Sequence, residues 1–204
     1  MVRGCSVGYL HMPASDSRES GLRILGDMPW GRHFSLFYET KEDLFEIVVP
    51  YLKAGLDNNE LCTWVVSEPI GRRDAIGALR EAVPELRRYL AEGRLTVLSA
   101  RKWYRTESRL DLRKVATAWD AQLATALARG YEGVRVAASA ARLRANEWKE
   151  FLDYEDRLNT FLGGKAMLVL CAYPLTGLHA ADLVGVSRTH PSVMMKRSGK
   201  WEAL

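Results

Sequence analysis

Two patterns of hydrophobic and polar positions alternate along the chain from Gly31 onwards. Short apolar runs rich in β-branched and aromatic residues predict strands, and longer stretches with apolar side chains at every third or fourth position predict helices. The predicted strands cover residues 33–38, 61–66, 95–99, 133–138, 166–173 and 192–196. The predicted helices cover residues 44–55, 74–83, 84–90, 112–127, 147–162 and 180–186. This alternation predicts consecutive right-handed βαβ units.

The fold class predicted by this order is an α/β sandwich of three layers, with helices on both faces of a mostly parallel sheet. Residues 166–173 are apolar throughout, as expected for a central parallel strand. Ser198-Gly199 has the composition of a hairpin turn, so residues 200–204 should add an antiparallel edge strand. We expect a flexible N-terminal lead-in over residues 1–20 and one domain over residues 21–204.

Composition narrows the class of protein. The chain has 204 residues, 48% of them hydrophobic, which suits one globular domain. Neither a membrane span of about 18 apolar residues nor the apolar core of a secretion signal is present in the sequence. Three cysteines without a close pair make a disulfide framework and a zinc site unexpected, so we expect a cytoplasmic protein. The net charge of +4 is spread among acids, which predicts no direct nucleic-acid partner.

The loop after the first predicted strand separates an ATPase from a binding module. A phosphate loop needs glycines, whose backbone N–H groups wrap the anion, and a Lys followed by Ser or Thr. The segment Tyr38-Glu39-Thr40-Lys41-Glu42-Asp43 has no glycine and carries three carboxylates. Strand 133–138 does not end with the acidic residue that would hold magnesium in an ATPase. His33 and Ser35 are close only because they share one face of the same strand, and they do not form a catalytic triad. We therefore predict no enzyme activity, no metal and no cofactor.

Side chains near the carboxyl ends of the predicted strands are candidates for a binding site, because ligands of open parallel sheets bind there. Aromatic walls with a few oriented polar groups suit a small ligand. The candidate ligand-binding residues are His33, Ser35, Phe37, Tyr38, Ser67, Glu68, Arg135, Ser139, Arg142, Tyr154, Glu155 and Tyr173.

Several of these candidates also have a structural interpretation. Phe37 and Tyr173, together with Trp64, can instead be core residues. His33 can instead form a structural hydrogen bond to the backbone. Arg135 lies in an apolar strand and needs a buried partner, for which Glu155 is the candidate. His190 is expected to form a turn rather than to bind a metal, because no His-x-x-His motif or acidic cluster in the sequence gives it partners.

Segments 26–38, 50–60, 64–69, 103–104, 130–135, 153–155, 170–173, 190–191 and 196–201 follow the order and composition of one known family. They resemble the MEDS domain, a sensory module of methanogens and methylotrophs. The resemblance implies a RecA-like α/β fold, related to the circadian-clock ATPases but without their phosphate loop. It also implies sensing of small hydrocarbon derivatives, often ahead of a histidine-kinase or DNA-binding module.

Two departures from the family pattern bear on the ligand. Ser35 stands where the family usually has Cys, and Ala138, Ser139 and Arg142 stand in a stretch where it usually has Gly-Asn and a Trp. If these positions line a pocket, this chain binds a different ligand or has lost ligand binding.

The function expected from the sequence is that of a cytoplasmic signal-sensing domain. It would bind a small organic, hydrocarbon-derived molecule and relay the signal in trans to a histidine kinase or transcription regulator. The alternative is a ligand-free pseudo-ATPase that acts as a protein-interaction and oligomerisation module. A homo-oligomer is compatible with both, and neither requires direct contact with nucleic acid or a membrane.

Overall fold

A computed structural model describes residues 17–140 and 143–204 of the chain. Its strands are β1 (Ser17–Glu19), β2 (Asp27–Pro29), β3 (Arg32–Tyr38), β4 (Leu61–Val66), β5 (Leu95–Ser99), β6 (Arg105–Thr106), β7 (Arg109–Leu110), β8 (Val134–Ser139), β9 (Met167–Pro174), β10 (Val193–Arg197) and β11 (Lys200–Ala203). Its helices are α1 (Lys41–Asp57), α2 (Arg72–Ala82), α3 (Leu86–Ala91), α4 (Ala100–Tyr104), α5 (Leu112–Ala128), α6 (Trp148–Leu162) and α7 (Ala180–Thr189).

A seven-stranded sheet forms the centre of the fold, in the order β11-β10-β3-β9-β8-β4-β5. All neighbouring strands are parallel except β11, which pairs antiparallel with β10. The hairpin turn between β10 and β11 is Ser198-Gly199, and both residues have positive φ, as a tight two-residue turn requires. The predicted fold class is therefore confirmed, including the central place of β9 between β3 and β8.

The two faces of the sheet carry separate hydrophobic cores because successive side chains of a strand point to opposite faces. Helices α1, α2 and α3 pack on one face, against residues such as Phe34, Trp64 and Leu170. Helices α4, α5, α6 and α7 pack on the other face, against residues such as Phe37 and Val136. We call these the α1 face and the α6 face of the sheet.

The structure differs from the sequence prediction in its short elements. Ser17–Glu19 pairs antiparallel with Asp27–Pro29, so the end of the predicted lead-in belongs to a small hairpin. Ser20 is buried, and its hydroxyl bonds to the backbone of Leu22. The rest of the predicted lead-in, residues 1–16, lies outside the described residues. Helix α4 and the β6–β7 hairpin were also not predicted, because elements of two to five residues are too short to show a period.

An ion pair attaches the β6–β7 hairpin to the start of α6. Arg105 donates through both terminal nitrogens to Glu147, over distances of 2.8 and 2.7 Å, and the backbone N–H of Arg144 donates to the same carboxylate. The hydrogen bonds from Arg105 hold the pKa of Glu147 at about 2. The carboxylate therefore stabilises the fold above its unfolded pKa, near 4.5, and loses this contribution as the pH falls toward 2.

Glu147→Gln is expected to lower the free energy of unfolding by about 1–2 kcal/mol at neutral pH, because it removes the charge that Arg105 pairs with. The difference between variant and wild type should shrink as the pH falls below about 4.5. Urea unfolding at several pH values measures it. Glu150→Gln, one turn along α6 and exposed, is the matched control and should stay close to wild type. An effect of Glu147→Gln that is constant down to acid pH would contradict this account.

Among the described residues, no helix combines the length and apolar character needed to cross a membrane.

Candidate functional site

A cleft of about 570 Å³ opens at the carboxyl ends of the parallel strands. Its lining contains four of the candidate ligand-binding residues, namely Tyr38, Ser67, Glu68 and Tyr173. The other lining residues are Glu39, Lys41, Pro69, Ile70, Ala140, Leu143, Trp148, Pro174, Thr176, Gly177 and Leu178. We call this the carboxyl-edge cleft. It combines aromatic and aliphatic walls with a few polar groups, the composition that a small organic ligand needs.

Tyr38 supplies one wall of the carboxyl-edge cleft at the end of β3. Burial raises the pKa of its hydroxyl to about 12, and a hydrogen bond with Ser139 works against that increase. The hydroxyl is therefore protonated at neutral pH and able to donate. Ser139 ends β8 and is buried beside the cleft, so it orients Tyr38 rather than lining the cleft itself.

Tyr173 connects the cleft to the core of the α6 face. Phe37 packs against it with ring centroids 6.0 Å apart, and the ring of His190 meets it edge-on at 5.8 Å. Burial, followed by the nearby charge of Glu155, raises the pKa of the Tyr173 hydroxyl well above its ordinary value. Tyr173 thus borders the carboxyl-edge cleft on one side and a buried group of polar residues on the other.

That buried group consists of His33, Glu155, Cys171 and His190, and we call it the His–Glu–Cys cluster. Nε2 of His33 lies 3.0 Å from Oε2 of Glu155 and 3.3 Å from Sγ of Cys171. The same carboxylate oxygen lies 3.4 Å from Nε2 of His190 and 3.5 Å from Sγ of Cys171. The side chains of His33, Glu155 and His190 are at most 1% exposed.

The protonation of the cluster follows from its burial and its contacts. Burial alone would raise the pKa of Glu155, but the imidazoles of His190 and His33 outweigh it and hold the pKa at about 2. Burial lowers the pKa of His33 despite the neighbouring carboxylate. Burial and the Glu155 charge raise the pKa of the Cys171 thiol well above its ordinary range. The cluster without a bound cation thus contains a carboxylate, a neutral His33 and a protonated thiol.

The predicted pair of Arg135 with Glu155 is wrong, because these residues lie on opposite faces of the sheet. Arg135 extends from β8 toward α1, where it forms a bidentate pair with Glu60 at 2.6 and 2.9 Å. Its remaining N–H groups donate to the carbonyl oxygens of Ser20, Tyr51 and Glu19 at 3.0–3.2 Å. Every partner of Arg135 here is part of the framework, so it does not belong to the cleft.

Three further candidates, Tyr154, Ser35 and Phe37, do not line the cleft. The Tyr154 hydroxyl accepts a hydrogen bond of 3.1 Å from Trp119, and its side chain lines a different cavity of about 450 Å³ between α5 and α6. Ser35 is fully buried beside Cys171 in the β3–β9 register, and its hydroxyl has no hydrogen-bond partner among the described residues. Phe37 is core. Arg142 lies outside the described residues.

Cys171 and His190 are the members of the cluster that sequence reasoning missed. The expectation that His190 has no partners is wrong: its ring is 4.1 Å from that of His33, measured between centroids, and it contacts Glu155. One sequence signal was available, since Cys171 and Tyr173 are two residues apart and therefore share a face of the strand. In the cleft, Leu143 was missed because it lies in the connection after β8, which has no periodicity, and Trp148 was missed because it begins α6 rather than ending a strand.

Side chains of the chain itself cap the start of α1, where a nucleotide-binding fold would have its phosphate loop. Thr40 caps the helix by accepting from the backbone N–H of Asp43, whose carboxylate accepts from the N–H of Thr40. Lys196 donates to Asp43 and to Glu46 at 2.9 Å. The helix N-terminus, which binds an anion in nucleotide-binding folds, is thus already capped by a carboxylate of the chain itself.

These features together define an α/β domain with a RecA-like sheet, a cleft at its carboxyl edge and no phosphate loop. The flagellar accessory protein FlaH from Methanocaldococcus jannaschii is a solved structure of similar fold, with a TM-score of 0.54 and 12% sequence identity. The alignment covers 89% of this chain and 80% of FlaH, and at this identity it shows the fold alone. A comparison with curated protein sequences gave no match.

The family model described as "MEthanogen/methylotroph, DcmR Sensory domain", abbreviated MEDS, matches residues 32–191. The chain therefore belongs to the MEDS family of sensory domains. The match extends from β3 through the residue after His190, so it contains all the lining residues of the carboxyl-edge cleft and all four members of the His–Glu–Cys cluster.

Proposed function

We propose that this protein is a signal-sensing domain that binds a small organic molecule in the carboxyl-edge cleft. The observation that carries the proposal is the position of the cleft: it lies where parallel sheets bind ligands and is lined by Tyr38, Ser67, Glu68 and Tyr173. Its volume of about 570 Å³ is in the range of small-molecule sites. A hydrocarbon derivative with one polar group would pack against Trp148 and Tyr173 and bond to the polar rim.

We further propose that the domain works without catalysis, in the cytoplasm, and relays ligand binding to a histidine kinase or transcription regulator in trans. The capped helix α1 supports the absence of nucleotide chemistry, because the carboxylates of Glu42 and Asp43 would repel a polyphosphate there. ATP hydrolysis that disappears in Lys41→Ala would overturn this part of the proposal.

Ligand binding is expected to raise the melting temperature and to change the fluorescence of Trp148, which lines the cleft. A ligand at about 100 times its Kd should stabilise the folded state by about 2.7 kcal/mol. The screen would contain methylated amines, methylated sulfides, halogenated methanes, short organic acids and magnesium ATP. Trp148→Phe should abolish most of the fluorescence change. Glu68→Gln should lower the affinity for a cationic ligand, because it removes a carboxylate from the lining of the cleft.

Glu81→Gln is the control for Glu68→Gln, because Glu81 is an exposed glutamate of α2 outside the cleft. Binding that responds equally to both substitutions would place the ligand elsewhere. A rise in melting temperature with ATP alone would indicate that the ligand is a nucleotide rather than a small hydrocarbon derivative. No rise with any compound would count against the sensor function.

The second candidate function is a ligand-free pseudo-ATPase that serves as a protein-interaction and oligomerisation module. The observation that favours it is the combination of a RecA-like sheet with a helix α1 that is capped by its own side chains. This function predicts a stable homo-oligomer or a complex with a kinase or regulator that forms without any small molecule. Light scattering and pulldown with and without ligand distinguish it from the sensor.

A further inference from the structure

The four side chains of the His–Glu–Cys cluster present one ligand atom each to a common centre. These atoms are Nε2 of His33 and His190, Oε2 of Glu155 and Sγ of Cys171, and all of them lie within 4.8 Å of one another. Zinc binds nitrogen and oxygen at about 2.0 Å and sulfur at about 2.3 Å, so a tetrahedral site has ligand separations of about 3.3–3.7 Å. The four separations given above, 3.0–3.5 Å, are close to these values.

The tautomer of each imidazole is set by its outer nitrogen. Asn159 donates through its amide to the carbonyl of Thr189 at 2.7 Å, so its Oδ1 faces Nδ1 of His33 at 3.3 Å and accepts a hydrogen bond from it. Nδ1 of His190 lies 2.8 Å from the carbonyl oxygen of Val186, which can only accept. Each ring therefore carries a hydrogen on Nδ1, which leaves Nε2 as the ring atom that faces the cluster and can bind a metal.

One inner atom of the cluster lacks a hydrogen-bond partner. Nε2 of His190 is buried and has none among the described residues, although Oε2 of Glu155 lies 3.4 Å away. A buried polar atom without a partner is unfavourable, and a metal ion at the centre of the cluster would provide one.

We propose that the His–Glu–Cys cluster is a binding site for one divalent transition-metal ion of the zinc type. Binding displaces the thiol proton of Cys171 to solvent, and the metal gains thiolate, carboxylate and two imidazole nitrogens as ligands. The charges of the thiolate and carboxylate then balance the two positive charges of the metal, so the buried centre is neutral. The outer hydrogen bonds of both histidines are the contacts that orient imidazole ligands in metal proteins.

A small surface depression lies near the cluster at the amino end of β3. Its volume is about 110 Å³, and it is lined by Arg32, His33, Pro191 and Ser192, among others. Of the four proposed ligands only His33 is among its lining residues, and Pro191 follows His190 in the chain. The depression and the carboxyl-edge cleft share no lining residue, so the two proposals can be tested separately.

The experiment is a Co²⁺ titration of the full chain after removal of any affinity tag and dialysis against a chelator. Wild type should bind one Co²⁺ per chain, with a thiolate-to-cobalt charge-transfer band and the intense visible bands of tetrahedral cobalt. Zn²⁺ should displace the cobalt and raise the melting temperature. Elemental analysis of protein purified without chelator should find about one zinc-type metal per chain.

Cys62→Ser is the matched control for Cys171→Ser, because Cys62 is the other buried cysteine of the sheet and faces α1. Cys171→Ser should lose the charge-transfer band, and Cys62→Ser should keep it. His190→Gln, which keeps the thiolate, should retain the band but bind cobalt at least about 100-fold more weakly. If Cys171→Ser does not fold, the cobalt affinity of His190→Gln tests the proposal, and an affinity equal to that of wild type would overturn it. The proposal is overturned if wild type shows no thiolate band at saturating Co²⁺, or if Cys62→Ser removes it.

Discussion

Replacing Glu60 by Gln is expected to lower the free energy of unfolding by about 3–5 kcal/mol, because it leaves the Arg135 guanidinium charged and buried without its counter-ion. Both side chains are 0% exposed, and their bidentate pair lies beneath α1 at 2.6 and 2.9 Å. The carbonyls of Tyr51, Ser20 and Glu19 accept hydrogen bonds from Arg135 but carry no full charge. Urea unfolding of the variant measures the loss.

A double-mutant cycle shows whether the loss belongs to the pair. Arg135→Met alone should also destabilise the protein, but by less, because the buried Glu60 carboxylate keeps its ion pair with Arg18 at 3.6 Å. The double variant should cost far less than the sum of the singles, since neither charge is then stranded. Asp153→Asn breaks the exposed pair of Lys149 with Asp153, at 3.0 Å, and should cost no more than about 0.5 kcal/mol. Additive singles, or a Glu60→Gln loss as small as this control, would contradict the assignment.

The same cycle separates stability from ligand binding. Arg135 was a candidate for the ligand site from its sequence context, but its partners all belong to the framework of the α1 face. Under conditions where the variants are folded, ligand affinity at the carboxyl-edge cleft should therefore be unchanged by Glu60→Gln. Tyr173, by contrast, lines the cleft, so its substitution should change affinity directly.

The elements predicted well from sequence are those long enough to show a period. Strand β9 is apolar over its whole length and α5 has a repeating apolar face, so both could be placed to within one or two residues. The cleft was also predictable in outline, because the carboxyl ends of parallel strands meet at one edge. Tyr38 and Tyr173 follow from that rule alone.

The pairing of buried charges was not predictable, because it depends on which helix covers which face of the sheet. Alternation along β8 shows that Arg135 shares a face with Ala137, but not that this face meets α1 rather than α6. The His–Glu–Cys cluster depends further on register, which places Ser35 beside Cys171. Its fourth member, His190, is the residue after α7, beyond the predicted helix over residues 180–186.

Gly55→Ala is expected to destabilise the protein by about 1–3 kcal/mol, the reverse of what this substitution usually does inside a helix. A Cβ at this position of α1 would lie 2.7 Å from Cδ of Arg135 and 2.8 Å from Sγ of Cys62. Arg135 cannot move aside without breaking its pair with Glu60. Thermal and urea unfolding give the change in stability.

Gly77→Ala in α2 is the matched control, since no heavy atom lies within 4 Å of the added Cβ. It should stabilise the protein by about 0.5–1 kcal/mol through the lower entropy of the unfolded chain. In the Arg135→Met background the flexible Met side chain can move away, so Gly55→Ala should cost clearly less than in wild type. An equal cost in both backgrounds would mean that the contact with Cys62, rather than the fixed Arg135 side chain, excludes a larger residue. The difference between the cost of Gly55→Ala in wild type and in Arg135→Met therefore tests whether the ion pair fixes the distance between α1 and the sheet.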